Sequence, residues 1–255
     1  MTDRIRGVLR ALAIPILLLA ALEWYARTVA VNSDVLAPPT RALRAGWAAL
    51  TDGSLVAATS FTLQAAGSGL ALGALLGLSL GLVLGLSHRA AAAGFISIEL
   101  LRPVPSVALI PIAMLVFGFG LRMELCVVAF ATFWPMLILS QAAVRQVEPQ
   151  LLEVATALEL GWLARTFKMV LPAMLPRLFV ALRQSVAIAL VVAVTVEIVA
   201  NPDGMGYALM SAQQSLNPPL MLAWLFWIGL TGVLINAMTL RIQRWASHRM
   251  GDFSA

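Results

Sequence analysis

The chain has 255 residues, 61% of them hydrophobic and 11% charged, against about 25% charged in an ordinary soluble domain. This excludes a soluble globule and predicts an all-α integral membrane protein, one transmembrane domain over residues 1–255. The net charge of +5 is read as topology-setting and lipid-facing, with no nucleic-acid partner. A lone cysteine, Cys126, excludes an internal disulfide. His88 and His248 sit in polar connections and read as solvated, so no metal site is expected.

Arg4, Arg6 and Arg10 precede an apolar run over about residues 11–30. A cleaved secretory signal has a similar layout, but no clean A-x-A site closes this run, so it is expected to remain as the first span. Near its far end Trp24 and Tyr25 suit the headgroup level, and Glu23 and Arg27 form an i, i+4 pair. Residues 31–60 read as a hydrophilic loop. Pro38 and Pro39 break it, and Thr40 is expected to cap a short interfacial helix bearing Leu43, Trp47 and Leu50.

The second span, 61–86, is uncharged and carries Gly69, Gly73, Gly77, Gly81 and Gly85 at every fourth position. Such a ridge lets another backbone approach closely, and helix packing is preferred to a ligand path. Residues 92–101 read as an interfacial helix and 103–120 as a third span, distorted at Pro105 and Pro111. Arg102 is expected to cap carbonyls or meet headgroups. The fourth span is 125–144. The fifth is 178–200, with Arg183 near one end and Glu197 near the other. Residues 201–218 read as a loop, and 219–240 form the sixth span.

With the amino terminus inside, most of the 17 Lys and Arg residues collect on that side, and Arg27, Arg41, Arg44 and Arg122 fall on the other. This positive-inside bias places both termini and the region 146–176 in the cytoplasm.

No catalytic constellation and no phosphate-binding loop is present. The second, fourth and sixth spans carry no charge at all, whereas a self-contained carrier places ionisable groups near the midplane. Another chain is therefore expected to supply the energy. The segment from Glu153 to Pro172 carries a helical stripe of Leu151, Val154, Ala155, Leu158 and Trp162. Such a stripe either fills a groove in a soluble partner or lies on the membrane surface.

This segment resembles the coupling motif of ABC-importer permeases: E-A-A, three residues, G, nine residues, I-x-L-P. Glu153, Ala155, Leu171 and Pro172 match in register. Val154 replaces the second Ala, Met169 replaces Ile, and Glu159 stands at the motif glycine, with Gly161 two residues later. The turn then either moves to Gly161 or gives way to a longer helix. Three further stretches are similar to the sulfonate, nitrate and taurine branch: the Pro38-Pro39 helix ending at Asp52-Gly53, Arg102-Pro103-Val104-Pro105-Ser106 leading to Phe117–Gly120, and Glu197 followed by Gly204-Met205-Gly206-Tyr207.

The resemblance implies a type I ABC-importer permease fold of six transmembrane helices in the bacterial inner membrane. It implies ATPase coupling through Glu153, Val154, Ala155, Leu158, Glu159, Gly161, Leu171 and Pro172. It places Glu197, Gly204, Gly206 and Tyr207 at an outer gate or binding-protein contact. The implied partners are a cytoplasmic ABC ATPase dimer, an external solute-binding protein, a second permease copy and membrane lipid. No cofactor is expected in this chain, since ATP and Mg would be bound by the ATPase. The implied substrate is a small sulfonate-, nitrate- or taurine-like anion. A secondary carrier or channel working alone is the alternative.

Overall fold

The computed structural model describes residues 2–29 and 36–249. The end of the first expected span at Ala30 and the start of the following loop lie outside the described residues, as do the side chains of Arg4, Arg6, Arg10 and His248. Every described element is helical.

Helix α1 covers Thr2–Thr28 and α2 covers Pro39–Thr51. Thr40 does not cap α2 as expected. Pro38 occupies the cap position and offers no side-chain acceptor. The acceptor comes from α1: Glu23 Oε2 takes the Thr40 N–H at 3.0 Å, and Glu23 Oε1 takes the Thr40 hydroxyl at 2.8 Å and the Arg27 guanidinium. A carboxylate at a helix N-terminus satisfies free N–H groups and meets the positive end of the dipole.

Helix α3 runs over Ser54–Leu86, a turn and more longer than the uncharged stretch suggested. Its hydroxyls fold back onto its own backbone. Thr59 donates to the Leu55 carbonyl at 2.6 Å and Ser79 to Leu75 at 2.7 Å, so these groups are satisfied within the helix. Helix α6, Leu121–Arg145, lies along it.

The five glycines form one face of α3, and Val128, Thr132, Met136, Ser140 and Val144 of α6 seat on them in the same fourfold register. A Cβ at Gly69 would stand 2.9 Å from the Leu125 carbonyl oxygen. At Gly77 it would stand 2.6 Å from that of Phe133, and at Gly81 2.7 Å from that of Leu137. These are backbone atoms that cannot rotate away, so the two helices approach this closely only through glycine.

The expected third span is instead two helices. Helix α4, His88–Leu101, starts where the Ser87 hydroxyl accepts the Ala90 N–H. After Pro103 and Pro105 a 3-10 turn, Ser106–Leu109, leads into α5, Ile110–Phe117. The two limbs meet at 82°. Proline removes N–H donors and restricts the preceding residue, so the break falls in the R-P-V-P stretch. The interfacial helix expected over 92–101 is thus one limb of a bent pair.

Helix α7 covers Pro149–Ala157. Helix α8, Trp162–Arg165, passes through a π-type turn at Thr166–Val170 into α9, Leu171–Val199. The fifth span is therefore longer than expected, an apolar helical run from Trp162 to Val199. Helix α10, Gly204–Gln214, occupies the expected loop, and α11 covers Pro218–Arg249. Helices α3, α6 and α9 form the centre, around Val127, Val128, Ala189 and Ala193. Helix α11 joins α2, α9 and α10 through Trp224, Ala49, Leu190 and Met205.

Among the described residues, four helices are long and apolar enough to cross a membrane: α3, α6, the α8–α9 run and α11. The bent pair α4–α5 makes five if it is one span. Helix α1 is 27 residues long, but it does not join that set.

Candidate functional sites

The predicted coupling residues occupy one end of the bundle, where α7 turns back into α8. Helix α7 stops at Ala157, and the stripe expected to run on to Trp162 is interrupted. The Leu160 N–H reaches the Ala155 carbonyl and the Glu159 N–H reaches Thr156, both at 3.0 Å. This pair of bonds is a Schellman C-cap, whose C′ residue is left-handed. That residue is Glu159, with φ of 50°. Gly161 has φ of −60°, ordinary for any residue. The turn therefore stays at the motif glycine position, now held by glutamate, and does not move to Gly161.

The turn sorts the stripe into two faces. Ala155 is fully buried, and Leu151 packs with Val147, Val170 and Met174 against the bundle. Val154, Leu158, Trp162, Leu163 and Phe167 are all exposed. Glu153, Glu159 and Gly161 are exposed, as is Pro172, while Leu171 is half-buried. Exposed apolar side chains thus lie along both limbs of a bent helical platform. The Thr166 hydroxyl, bonded to the Trp162 carbonyl at 2.9 Å, steadies its far side.

At the opposite end, Glu197 of α9 is buried and faces Glu124 of α6. Gly206 N–H donates to Glu197 Oε2 at 2.8 Å. Met205 N–H donates to Thr62 Oγ1 of α3 at 3.0 Å. Asn201 Nδ2 donates to Glu124 Oε2 at 2.6 Å. Oε1 of each glutamate lacks a donor, and no basic side chain pairs with either among the described residues. Two carboxyls, an amide and a hydroxyl therefore tie the start of α10 to three central helices.

The glycines of this stretch are dictated by Glu197. Gly204 has φ of 91°, and any Cβ there would strike the Glu197 carboxyl. A Cβ at Gly206 would strike the Val194 carbonyl. Tyr207 points away and is exposed, so it does not share the cluster. Glu197 was expected near an interface; it is close to the end of α9 but sealed by α10. Arg183 was expected near one end of its span. The helix starts earlier than expected, and Arg183 lies well inside it, with Nε 3.4 Å from Asn236 Oδ1 of α11.

Glu124, Asn201 and Thr62 were not singled out from sequence. Glu124 stands one residue before the apolar run taken as a span, so it read as a connection. No local pattern marked it: the helix that carries it begins at Leu121, ahead of the uncharged run. Arg102 neither caps a carbonyl nor pairs with an acid; its side chain has no hydrogen-bonding partner among the described residues. No group of three or more His, Cys, Asp or Glu residues could hold a metal ion among the described residues.

Comparison with known proteins places this architecture. Residues 69–252 match the family described as binding-protein-dependent transport system inner membrane component. A riboflavin transport system permease protein of Chloroflexus aurantiacus is 35% identical over 96% of this chain and 95% of its own length. A taurine transport system permease protein of Escherichia coli is 27% identical over 58% of this chain. A bicarbonate transport system permease protein of Synechococcus elongatus is 30% identical over 60%. The chain spans about half the length of these last two, 54% and 55%. Among solved structures, an inward-facing MetNI methionine ABC transporter chain aligns with a TM-score of 0.64 at 18% identity, covering 72% of this chain and 91% of that one. That likeness shows the fold.

Proposed function

We infer the function from the family to which this chain belongs: it is an inner-membrane component of binding-protein-dependent transport systems, a permease subunit of ABC importers and not an enzyme. Its task in such a system is to form the membrane path, while ATP and Mg are bound by a partner ATPase. The family pattern adds an external solute-binding protein and a second permease copy, the latter as a homodimer. The bent pair α4–α5 counts as one span and α1 as another, which makes six. The positive-inside bias puts both termini and α7 in the cytoplasm.

The observation that carries the reading is the exposed patch of Val154, Leu158, Trp162, Leu163 and Phe167 on the bent α7–α8 platform. A bent helical platform with an exposed apolar face suits helix-in-groove docking on a soluble subunit. Glu153 and Glu159 flank that face with charge, buried Ala155 anchors it to the bundle, and Leu171 and Pro172 open α9 behind it. Closure of the ATPases would move the platform, and α9 would carry that movement to the cluster of Glu197, Gly204 and Gly206. We assign that cluster, with Tyr207 exposed beside it, to the outer gate or binding-protein contact.

The substrate reading is a small anion of the sulfonate, nitrate or taurine type, supported by the likeness to the taurine permease. A flavin is the second reading, favoured by the near full-length match to the riboflavin permease.

The test is co-purification with the ATPase encoded beside this chain. Leu158→Asp places a charge on the exposed face without disturbing a buried position. It should abolish co-purification while the permease remains folded and extractable. Wild-type levels of ATPase on the Leu158→Asp permease would show that the platform does not dock it.

A further inference from the structure

Arg102 sits at the break between α4 and α5, against the middle of two spans. It lines a cleft of about 390 Å³ together with Ser106, Phe130, Trp134, Pro135 and Gln184. Trp134 and Pro135 are the middle of α6, which runs from Leu121 to Arg145. Gln184 is the middle of α9, Leu171–Val199. Each lies ~20 Å along its helix from the end near Glu197, at 1.5 Å rise per residue. In a hydrocarbon core ~30 Å thick, that is deep in the membrane. From the sequence, Arg102 falls between the expected interfacial helix and the third span, where it was read as a carbonyl cap or a headgroup contact.

An unpaired arginine at such depth is costly unless it faces protein, water or a ligand. Arg102 has no acid partner among the described residues and bonds no carbonyl. What surrounds it is polar in a limited way: the Ser106 hydroxyl and the Gln184 amide can both donate, and no carboxylate lines the cleft. Pro135 has no N–H, so the Ala131 carbonyl, also in the wall, is left open to water or a ligand donor. Phe130 and Trp134, edge to face with centroids 5.6 Å apart, supply an aromatic wall. A second cleft of about 310 Å³, lined by His88, Glu99 and Arg145, shares Arg102 and Ile138 with the first. The two clefts follow α6 from mid-depth toward its Arg145 end, and Arg102 stands where they join.

We propose that the Arg102 cleft is a substrate station inside the membrane, selective for an organic anion that carries a sulfonate or carboxylate on an apolar or planar body. The guanidinium fork matches two oxygens of such a group, Ser106 and Gln184 complete the donor set, and the Phe130–Trp134 wall takes the body. A bare inorganic anion would leave that wall unfilled. This rests on the permease reading and narrows its substrate class.

The experiment uses the purified permease–ATPase complex, with benzenesulfonate, nitrate and benzyl alcohol as probes, followed by saturation-transfer NMR and calorimetry. Benzenesulfonate should bind at least ten times more tightly than nitrate, and benzyl alcohol should not compete with it. Arg102→Gln should weaken benzenesulfonate at least tenfold. Arg102→Lys should weaken it less, because a point charge keeps attraction without the fork. Both variants should still co-purify with the ATPase, which shows that they are folded. If Arg102→Gln does not assemble, Gln184→Leu at an exposed position of α9 provides the same comparison, with a severalfold loss expected. No benzenesulfonate binding to the wild-type complex, equal binding by the Arg102→Gln or Gln184→Leu variant, or competition by benzyl alcohol would overturn the proposal. A wild-type permease that holds no ATPase would instead sink the permease reading and leave the cleft result to be judged by the probes alone.

Discussion

Glu159 and Gly206 show what a single residue decides in this chain. Glu159 adopts φ of 50° at a Schellman cap, and a left-handed conformation costs a residue with a Cβ about 1–2 kcal/mol. Glu159→Gly should therefore raise the thermal stability of the permease in detergent, with a gain of about 1 kcal/mol; an unchanged or lower Tm would contradict the strain. Gly206 gives the opposite sign. It lies inside α10, where helix propensity alone favours alanine by about 0.5–1 kcal/mol. Its missing Cβ is needed for contact with the Val194 carbonyl and the Glu197 stem. Gly206→Ala should destabilise by about 1–3 kcal/mol, the usual range for overpacking, seen as a lowered Tm and loosened α10. The motif spacing made the Glu159 position legible before any coordinates, because a fixed count of residues separates it from Glu153. Glu124 was not legible. Its burial depends on Asn201, 77 residues away, and no local pattern announces a partner at that distance.

At the scale of the element, the glycine ridge was readable because fourfold spacing maps directly onto one face of a helix. What it would face was not, since α6 carries ordinary apolar residues with no signature. The contrast between two glycines of α3 checks the packing. Gly77 meets the Phe133 carbonyl and Met136 of α6, whereas a Cβ at Gly67 would meet nothing within 4 Å. Gly77→Ala should lower stability by about 1–3 kcal/mol, and Gly67→Ala should raise it by about 0.5–1 kcal/mol through helix propensity alone. Equal effects at the two sites, read by thermal unfolding in the same detergent, would mean that α3 and α6 are not in this register. The bent pair α4–α5 was misread for a physical reason. Hydropathy reports whether a stretch can sit in lipid, not whether its axis is straight, and Pro103 and Pro105 turn it by 82°. The same limit hid α10, whose glycines suggested a loop but serve close approach to Glu197.

For the whole molecule, the two ends of the bundle carry different chemistry. One end offers an exposed apolar platform at α7–α8; the other buries carboxyls under α10; α9 joins them. Composition and charge placement already excluded a soluble enzyme and pointed to work supplied from outside the chain. The central claim is that this permease moves solute only when an ATPase drives it. The direct measurement is uptake into proteoliposomes of a radiolabelled solute recognised by the cognate binding protein, with the permease alone and with its ATPase and binding protein added. The account predicts uptake only in the complete system, only with ATP, and lost in the Leu158→Asp variant. Uptake by the permease alone, driven by an ion or solute gradient, would contradict it and establish a self-contained carrier.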